Sequence, residues 1–471
     1  MSFPEYPAYR SSGVEWLGEV PEYWAVYSLK RSVEGCVNGF WGDEPDGEFD
    51  IPVIRVADFD RAKSLVGLEK LTYRSITLKD RLSRLLKPGD LLIEKSGGGE
   101  KTLVGCTVLF EHDFEAVTSN FVARMRPHKG FESGFLCYVF NSLYQGRVNY
   151  PAIKQTTGIQ NLDSEAYLQE YFCFPPPSEQ IQIARFLDHE TAKIDTLIAE
   201  QRRLIELLKE KRQAVISHAV TKGLDPSIPL KDSGVQGLGK VPAHWAITKL
   251  GHYARVQTGF PFSSALFSLD DTEIRLLRGV NVGVGSLKWE DTVYWSRSAV
   301  DQVSDYLMIE GQIVLGMDRP WISDGLRIAR VLPADMPCLL LQRVAAITAR
   351  EALSHDYLFQ LLSSEIFRAY VEPDLTGVSV PHISPEQILG FLIPVPPVHE
   401  QNQIVEFLKD EFGAMEALLG QASLGVALLR EHRAALISAA VTGKIDLRGW
   451  RPNKSSLYEQ SQENKSCLEC A

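Results

Sequence analysis

"SGVEWLGEVPEYW", Ser12 to Trp24, returns as "SGVQGLGKVPAHW", Ser233 to Trp245, with eight of thirteen letters identical at an offset of 221. An internal repeat constrains architecture more than any lone motif, because each copy stands for one structural unit. The offset continues downstream. Glu179-Gln180 answers Glu400-Gln401, Phe186-Leu187 answers Phe407-Leu408, and Ile216-Ser217 with Ala219-Val220-Thr221 answers Ile437-Ser438 with Ala440-Val441-Thr442. The chain is two tandem copies of one plan.

The duplicated downstream segments read as helices. Prolines 175–177 close what precedes, Ser178 is placed to cap with Glu179 in the first turn, and Lys222-Gly223 supplies a terminal cation and a stop. About 45 residues lie between, roughly 66 Å of helix. Leu187, Ile194, Leu208 and Val215 fall on one seven-residue series, with Ile183, Leu197 and Leu204 on the neighbouring one. Leu408, Met415, Ala422, Leu429 and Leu436 repeat the first series in the same register, with Ile404 and Leu418 on the other. Matching seams on two helices this long predict an antiparallel two-helix coiled coil whose interface is Leu187, Ile194, Leu208, Val215, Leu408, Met415, Leu429 and Leu436.

The regions between these segments read as α/β domains. Apolar β-rich runs such as "IPVIRV", "DLLIE" and "VGCTVLF" in the first, and "QIVLGM" and "RVAAITA" in the second, alternate with Gly and Pro turns. Only scattered anchors repeat: Gly39-Phe40 with Gly259-Phe260, Gly89 with Gly311, and Thr157-Gly158 with Thr376-Gly377. Two alike scaffolds therefore carry two different faces. The expected layout is a domain over 1–177, a long helix over 178–224, a second opening motif and domain over 225–397, a second helix over 398–447 and a disordered tail over 448–471. Pseudo-two-fold internal symmetry follows, with the first opening motif near the end of the second helix.

At 471 residues, 45% hydrophobic and 23% charged, the composition is that of a globular protein. No apolar run reaches the ~18 residues of a membrane span, and "MSFPEYPAYRSSG" carries neither a basic nor an apolar signal region. A cytoplasmic protein with no membrane partner is expected. The seven cysteines have no framework spacing, and the Cys467/Cys470 pair lacks two further ligands for a metal. A net charge of −11 argues mildly against phosphate contacts, yet "YRSITLKDRLSRLLKPGD" allows a local basic helical face.

Catalytic constellations fail one by one. "SGGGEKT" misses a phosphate loop because Glu100 stands where glycine must precede Lys101. There is no Asn/Asp-Pro-Pro-aromatic loop to hold a flipped base, and no Gly-x-Ser-x-Gly. Pro45-Asp46 is not followed by an acidic-x-Lys strand end before residue 450, and His218 reads as a partly buried helix residue. No catalytic residue and no metal site is expected.

Two variable regions, each opened by Gly-x-Leu-Gly-x-Val-Pro-x-x-Trp and each followed by Glu-Gln-x-x-Ile and a helix ending "AVISHAVTKG" or "ALISAAVTGK", resemble the specificity subunit of type I restriction-modification systems. The resemblance covers about residues 10–447. It implies a non-catalytic DNA-binding chain in which each variable region is a target recognition domain reading half of a split sequence. The helices would act as spacer and as docking surface for two methylation subunits. S-adenosylmethionine, ATP and Mg²⁺ would belong to partner subunits, restriction and translocation subunits among them.

For contact with double-stranded DNA, residue chemistry selects Lys95, Ser96 and Lys101 on the Gly-rich turn, and Lys154, Gln155, Thr156, Gln160 and Asn161 in "IKQTTGIQN". In the second region it selects Arg319, Arg327, Ser379 and His382. Asn and Gln suit adenine edges, while Lys and Arg suit guanine edges or phosphates. A competing expectation is a non-DNA adaptor that presents two α/β modules on a coiled coil.

Overall fold

The computed structural model describes residues 3–97, 102–156, 158–235, 237–323, 325–374 and 381–452. It divides into two compact units, residues 1–201 with 424–471, and residues 202–423. The units thus share out both long helices, each taking one part of either.

Unit 1 is organised by a six-stranded mixed sheet. Its strands are β1 (Val33–Asn38), β2 (Phe59–Asp60), β3 (Leu65–Val66), β4 (Asp90–Glu94), β6 (Thr107–Phe110) and β7 (Val122–Pro127), in the order β1-β7-β4-β6-β3-β2. Between β4 and β6 lies β5 (Ser96–Gly97), which pairs with the hairpin of β8 (Ile153–Thr156) and β9 (Ile159–Leu162). Alternation along β4 sends Leu91 and Ile93 to one core and Leu92 to another on the opposite face. The first core is closed by α1 (Ser133–Gln145), which buries Phe135, Leu136, Val139, Phe140 and Leu143.

Among the described residues unit 2 repeats this frame with five strands, the place of β2 being taken by a lone bridge between Val282 and Leu287. Strands β10 (Ala254–Thr258), β11 (Val284–Gly285), β12 (Ile313–Gly316), β13 (Ile328–Arg330) and β14 (Val344–Ala349) run in the order β10-β14-β12-β13-β11. The register is preserved: Val122 pairs Glu94 and Met125 pairs Leu91, as Val344 pairs Gly316 and Ile347 pairs Ile313. Ile313 and Leu315 face one core, which α3 (His355–Leu362) closes, and Val314 the other.

The long helices are α2 (Pro177–Lys222) and α4 (Val398–Val441), of 46 and 44 residues. Pro177 is itself the first residue of α2, so Ser178 lies inside the first turn instead of capping it; proline at this position loses no helical bond. Within unit 1, Leu187, Ile194 and Ile198 share a core with Val426, Leu436 and Ile437, Leu429 packs half-buried against it, and Arg433 forks onto Asp195 at 3.0 and 3.3 Å. Within unit 2, Ile216 and half-buried Val215 share a core with Leu408, Phe412 and Met415, and Arg212 lies 4.4 Å over the Phe412 ring. Leu208 is buried as well. The neighbouring series behaves differently: Ile183 and Ile404 are buried, but Leu197, Leu204 and Leu418 are exposed. His218 is also exposed on α2, not partly buried. By length and composition α4 could cross a membrane, with an 18-residue window of mean hydropathy 1.4. Phe412, Met415, Ala422 and Val426 spend part of that apolarity on burial.

The opening motifs are clasps. In unit 1, buried Trp24 donates its indole N–H to Glu179 at 3.3 Å, and Tyr23 donates its hydroxyl at 2.8 Å. Burial, and then the adjoining Glu179 carboxylate, push the Tyr23 phenol up to about 12. Trp24 also packs against Gly443 just beyond α4, where φ is +72° and an added Cβ would lie 2.5 Å from Pro21. In unit 2, Trp245 donates to Glu400 at 2.9 Å, His244 contacts the same carboxylate at 2.7 Å, and Gly223 lies against Trp245. The neighbouring glutamines tie each helix start to the domain: Gln180 accepts from Glu132 N at 3.0 Å and Gln401 from Ser354 N at 2.8 Å.

The basic stretch near residue 80 is not one amphipathic helix. Strand Thr72–Ser75 leads into a helix of only Leu78–Arg81. Its cations are used locally: Arg74 pairs with Glu44 and lies over Trp41, and Arg84 lies over Phe40.

Candidate nucleic-acid interface

Three chain segments converge at one rim of the unit 1 sheet: the end of β4 with β5, the turn before β7, and the β8–β9 hairpin. Ser96 pairs with Asn161 across β5 and β9, and its hydroxyl donates to Asn161 Oδ1 at 2.6 Å. Lys95 reaches Asn38 Oδ1 at 2.7 Å. Phe121, 46% exposed, is fixed because its carbonyl accepts from Lys95 N at 2.8 Å. Beside these residues lies a cleft of about 490 Å³, lined by Trp41, Arg55, Glu94, Ser96 and Phe121 among others. Glu94 is buried and paired with Arg61 at 2.7 Å; burial raises its carboxyl above the ordinary value although Arg61 pulls the other way.

The residues selected from sequence separate into several groups here. Ser96 sits in a paired strand, not a free loop, and Asn161 is exposed beside it. Gln155 is exposed on β8, opposite Gln160. Exposed Lys154 pairs with Asp163 at 2.7 Å. Gln160 is only 4% exposed and its Oε1 accepts from Val104 N at 3.2 Å, so it serves the fold and not the rim. Thr156 lies on β8 by its backbone. Lys101 and Ser379 fall outside the described residues, as do the anchors Thr157, Thr376 and Gly377.

In unit 2, Asp318 bridges to His382, and Asp318 Oδ1 lies 2.7 Å from His382 Nδ1. Arg343, its side chain 61% exposed, stands 3.8 Å from the same carboxylate. Arg319 is exposed, with φ +44°. Arg327 is drawn inward: its guanidinium donates to the carbonyls of Val282 and Asp318, both at 3.1 Å. Its burial lowers the guanidinium's proton affinity, and Arg327 acts as a brace beneath the rim. Sequence reasoning missed Phe121, Arg343, Asp318 and the Arg61–Glu94 pair. The Gly89/Gly311 anchors, 222 apart, carried forward along the chain would have set Phe121 against Arg343.

Residues 261–418 match the family model described as Type I restriction modification DNA specificity domain. The chain is 27% identical over 312 residues to the Type I restriction enzyme MjaVIII specificity subunit of Methanocaldococcus jannaschii, covering 66% of this chain and 70% of that one. In family model, curated relatives and fold alike, the chain matches the specificity subunits of type I restriction-modification systems. The Type I restriction enzyme EcoBI specificity subunit of Escherichia coli is 22% identical over 476 residues, 97% of this chain and 93% of that one. A solved chain described under complex assembly and conformational transition of the type I R-M system shares the fold, with TM-score 0.62 and 17% identity over 90% of this chain and 99% of that chain. The role these matches carry is that of a DNA specificity subunit, which is non-catalytic in type I restriction-modification systems. Among the described residues no group of three or more His, Cys, Asp or Glu is placed to hold a metal, and Cys36, Cys106, Cys137, Cys173 and Cys338 are free thiols.

Proposed function

We propose that each unit reads one half of an asymmetric, split double-stranded DNA target, and that α2 and α4 set the spacing and dock two methylation subunits. The observation that carries this reading is the pairing of one backbone frame with two different rims, Ser96, Asn161 and Phe121 in one unit and Asp318, His382 and Arg343 in the other. A single reader used twice would favour like side chains at both rims. Methyl transfer with S-adenosylmethionine, and ATP- and Mg²⁺-dependent cleavage, are assigned to partner subunits in the cytoplasm.

The net charge of −11 supports a division of labour in which partners supply much of the phosphate clamp. Single-molecule methylome sequencing of cells carrying this chain with its methylation subunits should return a split motif with dissimilar halves. A symmetric, uninterrupted motif would refute the reading. Changing Lys95 and Asn161 to alanine together should weaken one half only.

A further inference from the structure

Because the chain contains its own second copy, the two rims can be aligned by backbone hydrogen bonds alone. Lys95 N donates to Phe121 O at 2.8 Å, and Met317 N donates to Arg343 O at 3.0 Å. Gly39 N donates to Val122 O and Gly259 N to Val344 O; Leu162 N donates to Lys95 O and Ile383 N to Met317 O. The bridge Ser96–Asn161 coincides with the bridge Asp318–His382, and in both the bridged side chains also touch. Position by position, Ser96 therefore matches Asp318, Asn161 matches His382, and Phe121 matches Arg343.

The matched side chains differ in what they offer a base edge. Phe121 offers an exposed apolar ring. Arg343 offers a planar fork of donors, with one nitrogen 3.8 Å from the Asp318 carboxylate, which His382 in turn contacts at 2.7 Å. At that distance the carboxylate attracts the guanidinium without hydrogen-bonding it, which leaves the fork's donors for a ligand. Arg343 also adopts φ +68°, a left-handed conformation that any non-glycine side chain resists. A side chain kept at such a turn, exposed and beside a carboxylate, points to use at a site.

We propose that Phe121 and Arg343 are equivalent specificity-determining positions, Arg343 reading a guanine in the half-site of unit 2 and Phe121 meeting a thymine methyl in the half-site of unit 1. Asp318 and His382 are positioning residues for Arg343. The assignment rests on each unit being a half-site reader. It follows from groove chemistry: arginine bonds guanine O6 and N7 as a pair, while an aromatic ring favours the thymine methyl.

The test uses the full chain co-expressed with its methylation subunits, challenged with a plasmid library and read by methylome sequencing. With Arg343→Ala, discrimination at one G·C pair of one half-site should fall about ten- to hundredfold while the other half stays as strict as in the parent. Phe121→Ala should loosen a T·A pair in the opposite half, several-fold. Should Arg343→Ala give no modification at all, Arg343→Lys retains the charge without the fork. Modification restored with weakened guanine preference supports the assignment, and preference equal to the parent's overturns it, as does continued silence. Unchanged strictness in both halves with Arg343→Ala, or loosening in both, also overturns it and leaves half-site reading intact. If the parent itself returns no split motif, half-site reading fails and this assignment with it.

Discussion

Beneath each rim lies a guanidinium, and the two units supply it from different places in the chain. In unit 1 the amide of Glu94 donates to Cys106 O, and the Glu94 side chain pairs with Arg61 from the loop after β2. In unit 2 the corresponding amide, Gly316, donates to Arg327 O, and the Arg327 side chain lies over Gly316 where no side chain competes. A large acid beside a small thiol in one unit is thus exchanged for a glycine beside a large base in the other. The exchange shows what the frame requires, which is backbone register and alternating apolar faces, and what it tolerates, which is nearly any polar filling consistent in volume.

The comparison can be broken most severely at the clasps. Trp24→Ala and Trp245→Ala each remove a fully buried indole, so each should cost about 3–5 kcal/mol. Hydrogen exchange should locate the loss in unit 1 for the first and unit 2 for the second; equal loss of protection in both would mean that the clasps do not act unit by unit.

Next in size are the guanidinium braces. Arg61→Ala strands a buried carboxylate and should cost about 2–4 kcal/mol, discounted because Arg61 is itself partly exposed; Arg327→Ala leaves two carbonyls short and should cost about 1–3 kcal/mol. The first loss should depend on pH. Folding raises Glu94 above its ordinary value, and losing Arg61 raises it further. The penalty is absent below the ordinary carboxylate range and complete above the raised folded value, so urea midpoints should fall further at about pH 8 than at about pH 5. Arg327→Ala should show no such slope, since no carboxylate is stranded.

The smallest effects belong to the two glycines that follow the long helices. Both hold positive φ, but an added Cβ meets Pro21 at 2.5 Å at Gly443 and Trp245 at 3.2 Å at Gly223. Gly223→Ala should cost about 1–2 kcal/mol from conformation alone. Gly443→Ala should cost more, as calorimetry of the two variants would register.

Repetition made much of this legible. The helices, their main seam, the strands and the placement of Trp24 near the end of α4 all follow from motif order and period. Where two copies agreed in letters, as at Glu179 and Glu400, position was readable, but the partner across some 155 residues was not. The rim was read less well, because side-chain type cannot say which way a strand residue faces. Gln160 and Asn161 are neighbours of like chemistry, and pleating sends one inward to Val104 and the other outward to Ser96. Arg327 looked available for DNA by its side-chain type, although bonds to the carbonyls of Val282 and Asp318 draw it inward just before β13.

The division of the helices has a consequence for synthesis. Unit 2 is one uninterrupted stretch, Arg202–Ser423, whereas unit 1 joins Met1–Gln201 to Leu424–Ala471. The contacts of Trp24 with Gly443, of Gln182 with Trp450 and of Asp446 with Pro4 all wait for the last part of the chain. The domain that leaves the ribosome first is therefore completed last, after the other has been made in full. A nascent chain stalled between Ser423 and the end of α4 would carry unit 2 whole and unit 1 still open.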